Sequence, residues 1–195
     1  MLIESQKLAL AAVRNRPDHH LGLGLRELIW SDLGNRATSS NYMNESHLKR
    51  ISLAVAGVKH VLPLWQKKYK SNNIPLVALS TINKLIAGDK IDASEIFDRL
   101  WSETIHISVE QPFTEIAVAF CAVQALSTAM FDEFFDSTNL DVKREDGDDP
   151  ENHDSSYYAS VAAAGGEPRS PQSSSELRLE FWNWWLTDAI KMANK

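Results

Sequence analysis

The feature that most constrains the fold is a long apolar stretch, PFTEIAVAFCAVQALSTAMF, at positions 112–131. It contains no charged residue between Glu115 and Asp132. The uncharged run is shorter than the roughly 20 residues that a membrane-spanning helix needs, and Gln124 and Ser127 interrupt it. A helix that is apolar on all sides is typical of the centre of a helical protein. We therefore predict a central helix packed by other helices, and not a membrane span.

Helical patterns occupy most of the remaining chain, and no segment has the alternation of a convincing strand. The sequence predicts an all-α single domain, an irregular bundle of about seven helices around the central apolar one. The helices are expected near 2–15, 25–31, 46–70, 75–87, 92–107, 112–131, 154–164 and 175–193.

Proline, glycine and capping residues give the expected boundaries of these helices. Ser46, Asp154 and Ser175 are expected N-caps, and Pro63 should kink the third helix or start a new one. Within the single domain we expect four parts. They are an N-terminal extension with a short helix pair, a helical core, an acidic surface loop and a C-terminal helix pair, at 1–45, 46–136, 137–153 and 154–195 respectively.

Composition indicates a protein that folds without covalent cross-links. Apolar residues make up 44% of the 195 residues, which is enough for a buried core. Cys121 is the single cysteine, so no internal disulfide can form, and its apolar surroundings predict an inert core thiol. No secretory signal is visible, and we expect a cytoplasmic protein.

The acidic residues are concentrated in one segment. The net charge is −6, and residues 132–154 contain ten acids but only two bases, which leaves +2 for the rest of the chain. A nucleic-acid-binding protein is disfavoured, because phosphate contacts need clustered Lys and Arg. The composition of 137–153 predicts a mobile, solvated surface loop.

A tryptophan-rich stretch near the C-terminus, EFWNWWL at 180–186, is the second apolar feature. On a helical wheel its polar residues form a narrow stripe and almost everything else is apolar, which predicts a plug that closes the core. Arg178 falls inside the apolar arc. Either it is paired, with Asp154 as the candidate, and stacks on a tryptophan, or it extends to solvent.

The chain contains no Walker loop, no HExxH, no CxxC pair and no GxSxG. We assign no catalytic residue, no metal ligand and no cofactor, and we interpret Asp18-His19-His20 as loop surface. The most enzyme-like feature is Asp132 and Asp136, which at i, i+4 would share a helix face. All-α prenyl-chain enzymes hold Mg²⁺ with two such clusters, and one is found here. A solvated helix end is the alternative.

The C-terminal third carries a family resemblance. The run DSSYYASVAAAG at 154–165, a loop, and RLEFWNWWL at 178–186 are similar to the fifth-class immunity-protein family of bacterial polymorphic-toxin systems. The segment 54–65, with VLPLW, and the helix ending LIAG at 85–88 resemble the middle of that family. The resemblance covers about residues 48–193, and the region before residue 46 adds nothing to it.

The resemblance implies a small all-α protein that binds and neutralises a cognate toxin domain by occlusion, without catalysis. It supplies no binding residues. Charge supplies a candidate surface, because an acidic loop can enter a basic toxin cleft, at the cost of becoming ordered. A merely solvated loop, a divalent-metal enzyme, a helical adaptor and a homodimer remain open. The predicted partner-binding residues are Asp141, Glu145, Asp146, Asp148, Asp149 and Glu151.

Overall fold

The computed structural model describes residues 2–37, 43–110, 112–132, 140–149 and 153–195. This part of the chain forms eight helices and no strand, which confirms the all-α, single-domain prediction. The helices are α1 Glu4–Asn15, α2 Leu23–Ser31, α3 Glu45–Lys68, α4 Ile74–Ala87, α5 Ala93–Glu110, α6 Phe113–Phe131, α7 Ser155–Ala164 and α8 Ser175–Trp184, the last of which continues through a π-helical turn, Trp185–Ala189, into Ile190–Ala193.

Helix α6 is the centre of the bundle, as its apolar sequence predicts. Every residue from Ile116 to Ala129 is buried, and α3, α4, α5 and α7 all pack against it. Alanines recur along it, so neighbouring helices can approach closely. Among the described helices, α6 is long and apolar enough to cross a membrane by length and composition. Its 78% burial inside the structure is what the core helix of a soluble protein shows.

Helix α3 is the longest element and runs without a break through Pro63. Of the two predicted effects of this proline, a kink or the start of a new helix, the second is therefore wrong. Pro63 has no N–H to donate to the turn before it, but the helix continues because its apolar face is packed on α6 and α7. Trp65, two residues later, is buried and donates its ring N–H to the Asn72 carbonyl oxygen at 2.9 Å.

Two of the three predicted N-caps are displaced by one or two residues. Asn44, and not Ser46, caps α3, while Ser174, and not Ser175, caps α8. In both cases a residue one or two positions earlier, with equal capping ability, has the extended backbone that the cap position needs. Asp154 caps α7 as predicted.

The tryptophan-rich helix is a core plug, as predicted. Trp182 and Trp185 are completely buried, with ring centroids 5.5 Å apart in an edge-to-face arrangement. Only Trp184 is partly exposed, and it stacks on His60 at 3.9 Å. Gln6 of α1 donates to the Leu186 carbonyl oxygen at 2.7 Å, inside the π-helical turn. A side chain that enters the helical hydrogen-bond ladder in this way accounts for the local widening.

The N-terminal region is part of the same core. Leu21, Ile29 and Trp30 are buried, and Trp30 meets Trp185 edge-to-face at 5.9 Å. Helix α1 packs on α2, α8 and the π-helical turn. Helices α1 and α2 therefore close the bundle against its last helix.

Candidate partner-binding site

The acidic segment, defined here as residues 140–149, has a definite local structure. Asp146–Asp148 form one turn of 3-10 helix. The Asp148 carboxylate accepts the backbone N–H of Glu145 at 2.8 Å, which closes the turn from its first residue. Asp141 accepts the N–H of Lys143 at 2.9 Å in the preceding bend. Two of the acids therefore shape the backbone of the segment itself.

A buried arginine anchors this segment to the body of the protein. Arg26 of α2 is completely buried, and its Nη2 donates to Asp146 at 2.7 Å. Its Nε donates to Asp154 at 2.8 Å, so one guanidinium joins the acidic segment to the N-cap of α7. Burial disfavours the charged form of Arg26, but the charges of Asp154 and Asp146 outweigh it and raise its pKa. Arg26 therefore stays charged and holds both carboxylates.

His20 binds the same carboxylate from the other side. Its Nε2 lies 2.5 Å from an Asp146 oxygen, and only 3% of the residue is exposed. Burial lowers the pKa of His20 below 6.5 despite the neighbouring carboxylate, so the ring is neutral at pH 7 and donates from Nε2. Burial alone would raise the pKa of Asp146, but the bonds from His20 and Arg26 hold it well below the usual range.

Two further arginines form ion pairs with residues on either side of Asp146 in the acidic segment. Arg16 donates to Glu145 at 2.6 Å and to Asp18 at 3.1 Å. Arg144 joins Glu27 of α2 at 2.9 Å to Asp149 at 3.1 Å. The acidic segment is thus held by ion pairs along most of its length, and its acids are only partly available to a partner.

A cleft of about 440 Å³ opens beside the anchored segment. Its wall includes Tyr157 of α7, whose ring stacks on the His153 ring with centroids 4.0 Å apart and lies 5.4 Å from the Arg26 guanidinium carbon. The cleft is lined by Arg16, Asp18, His20, Glu145, Asp146, Gly147, His153, Tyr157, Glu167, Pro168 and Arg169.

The structure sorts the predicted binding residues into three groups. Asp141 and Asp148 are exposed and make no ion pair with the described residues. The side chains of Glu145 and Asp149 are 50% and 37% exposed but paired with arginines. Asp146 belongs to the interior, since its side chain is 14% exposed. The sixth predicted residue, Glu151, lies outside the described residues.

The described part of the acidic segment lies on the surface, but bases from distant positions pair with several of its acids, which the composition does not predict. The interpretation of Asp18-His19-His20 as loop surface is wrong for His20, which is buried. Arg16 and Arg26, which do the anchoring, were missed. Two sequence features could have pointed to them: both arginines lie near that polar triplet, and the acids of residues 132–154 need bases from elsewhere in the chain.

Arg178 does not pair with Asp154, and it does not extend to solvent. It is 1% exposed and donates to the carbonyl oxygens of Gly166 at 2.6 Å and Asp18 at 3.2 Å. Both predictions for this residue are therefore wrong. Arg26 occupies the position beside Asp154, and Arg178 instead fastens the loop before α8 to the loop after α1.

Asp132 is not positioned as a metal ligand. Helix α6 ends at Phe131, and Asp132 takes a left-handed conformation, so the predicted helix face shared with Asp136 does not form from this residue. Both Asp132 oxygens are bound by Arg50, at 2.6 and 2.7 Å, and the residue is 2% exposed. Asp136 lies outside the described residues. Among the residues that the structure describes, no group of three or more His, Cys, Asp or Glu could hold a metal ion.

Comparison with known proteins agrees with the resemblance that the C-terminal residues carry. A search of the curated proteins found no match. The sequence model of the family described as Immunity protein Imm5 matches residues 6–192, which is nearly the whole chain. The match includes α1 and α2, so the N-terminal region that seemed to add nothing is part of the family pattern. The chain belongs to the Imm5 family of immunity proteins.

Proposed function

We propose that this protein neutralises a toxin domain of a bacterial polymorphic-toxin system by binding it one-to-one in the cytoplasm and covering its active site. Membership of an immunity-protein family supports this role. The structural observation that supports a specific surface is the anchored acidic segment, which presents Asp141 and Asp148 to solvent. Neutralisation by occlusion needs complementary contact and no chemistry by the immunity protein.

The charge of this surface suits a toxin with a basic substrate cleft. Toxin domains that cleave nucleic acids need cationic clefts to hold the phosphate backbone. A negative surface of matching shape fills such a cleft, and charge complementarity speeds the encounter of the two proteins. Rapid association is useful to a cell that must intercept each toxin molecule before it acts.

The ion pairs behind the acidic segment reduce the cost of binding. Arg26 and Arg16 already fix its backbone, so little chain entropy is lost when a toxin docks. The expectation that these acids become ordered on binding therefore gives way to a proposal of a preformed surface. Only the side chains of the exposed acids would then lose conformational freedom on binding.

Co-purification from the native cell tests this proposal. The tagged protein should capture the product of a neighbouring gene, and the double variant Asp141→Asn/Asp148→Asn should associate with it roughly three- to tenfold more slowly at low salt. The matched control is Asp89→Asn/Asp98→Asn, which removes two exposed acids elsewhere. If both variants behave alike, the acidic segment is not the binding surface. If no toxin is captured at all, the proposed function is wrong.

A further inference from the structure

The cleft beside the acidic segment contains polar groups of two kinds. The rim charges satisfy one another, because Arg16 binds Glu145 and Asp18, while Asp18 also lies 3.4 Å from Arg169. Asp146 is held by the buried guanidinium described above. These groups give the cleft its shape and need nothing further.

Three other groups in the cleft wall have no such partner. The Tyr157 hydroxyl, the His153 ring nitrogens and the Glu167 carboxylate make no hydrogen bond or ion pair with any residue that the structure describes. Tyr157 is only 5% exposed, and its ring packs against His153 and Arg26. Its hydroxyl oxygen is accessible from the cleft and has no partner among the described residues, so it is available to a ligand that enters there.

The charge of the cleft favours a cation. Its lining residues include four acids and two arginines, and Arg26 neutralises Asp146 from behind, so Glu167 is the lining acid left without a base among the described residues. Burial lowers the pKa of both His20 and His153, so both rings are neutral at pH 7 and His153 can accept a hydrogen bond. Burial, and then the charges of Glu167 and Asp146, raise the pKa of Tyr157. These carboxylates therefore act directly on the phenol.

A guanidinium matches these acceptors better than an ammonium does. It is flat, stacks on aromatic faces, and carries five N–H donors spread around its edge. One such group can pair with Glu167, donate to the Tyr157 oxygen and lie against the half-buried His153 ring. We propose that the cleft is a receptor for an arginine side chain of the toxin, an inference that depends on the proposed function.

Titration with small amides tests the cleft directly. N-acetyl-arginine methylamide should shift the NMR signals of the His153 and Tyr157 rings, while the uncharged citrulline amide, which has nearly the same shape, should not. Glu167→Gln should weaken arginine binding about tenfold, the usual effect of losing a charged hydrogen bond. Glu103→Gln, which removes an exposed acid of α5, is the matched control. Equal shifts with both amides, or full affinity in Glu167→Gln, would overturn the inference.

A conservative variant separates binding from folding. Tyr157→Phe removes only a hydroxyl with no described partner, so its unfolding midpoint should stay close to that of the wild type while its arginine affinity falls. A large loss of stability with unchanged arginine affinity would overturn the inference, because the hydroxyl would then have a structural role.

The captured toxin distinguishes the two proposals. A toxin bound with equal affinity by wild type and Glu167→Gln would refute the arginine receptor and leave neutralisation standing. Arginine binding by a protein that captures no toxin would refute the assignment of the arginine to a toxin, together with the proposed function.

Discussion

Replacing Arg26 by methionine tests whether the buried ion pairs hold the acidic segment to the bundle. Arg26 donates to Asp146 at 2.7 Å, and to Asp154 and the Leu21 carbonyl oxygen at 2.8 Å each. Methionine has a similar reach and fills the space, but it leaves two buried carboxylates without their cation. Removing one member of a buried ion pair costs about 3–5 kcal/mol.

The remaining bonds place the effect of Arg26→Met at the lower end of that range. Asp154 keeps the N–H groups of Ser156 and Tyr157, and Asp146 keeps His20. We expect a loss of about 3 kcal/mol in the free energy of unfolding. With a urea m-value of about 2 kcal/mol/M, the midpoint should fall by about 1.5 M.

Urea unfolding followed by tryptophan fluorescence measures this loss. Arg99→Met is the matched control, because Arg99 pairs with Glu103 on the surface, where the two side chains are 54% and 46% exposed. It should change stability by less than about 0.5 kcal/mol. Asp146→Asn, which leaves Arg26 paired with Asp154, should fall between the two. If Arg26→Met matches Arg99→Met, the segment is held by something other than these ion pairs.

Three further perturbations test packing, close contact and pH dependence. Trp182→Ala should cost about 3–5 kcal/mol in urea unfolding, against about 1–2 for the partly exposed Trp184→Ala; equal losses would contradict the core-plug assignment. Gly24→Ala should lower the melting temperature, because the added Cβ would lie 1.9 Å from a backbone oxygen of the acidic segment. Gly57→Ala is the control: its Cβ would lie 3.7 Å from the nearest atom, and the higher helix propensity of alanine should raise the melting temperature. Because the folded-state pKa of His20 is lowered from 6.5, its contribution to stability is complete above pH 6.5 and is lost as the pH falls through the folded-state value. Melting temperatures from pH 7.5 to 5 should show this decline, and His20→Gln should flatten it; an unchanged slope would exclude His20 as its source.

The fold was predictable because its main signals are local. The all-apolar sequence of α6 and the wide apolar arc of α8 can be read from consecutive residues, and both elements are buried as expected. Helix ends marked by Gly88 and Gly165 also lie where the sequence predicts. Caps were less certain, since two neighbouring polar residues can serve equally well and the incoming chain direction decides between them.

The candidate site was less predictable because its contacts are distant in sequence. Arg26 and Asp146 are 120 positions apart, and Arg50 and Asp132 are 82 apart. The acids follow one another closely in the sequence with few bases among them, so the local pattern predicts a solvated loop. The scattered bases that balance those acids become neighbours only once the bundle has formed.

The Arg26 anchor also decides which acids of this segment can be replaced without disturbing the bundle. A change at Asp146 disturbs the interior of the bundle, whereas Asp141 and Asp148 contact the solvent. These two acids also accept backbone N–H groups within the segment, so their side-chain oxygens help to fix its shape. Asparagine keeps an acceptor oxygen and loses the charge, so at these two positions the charge of the surface can be altered separately from its shape.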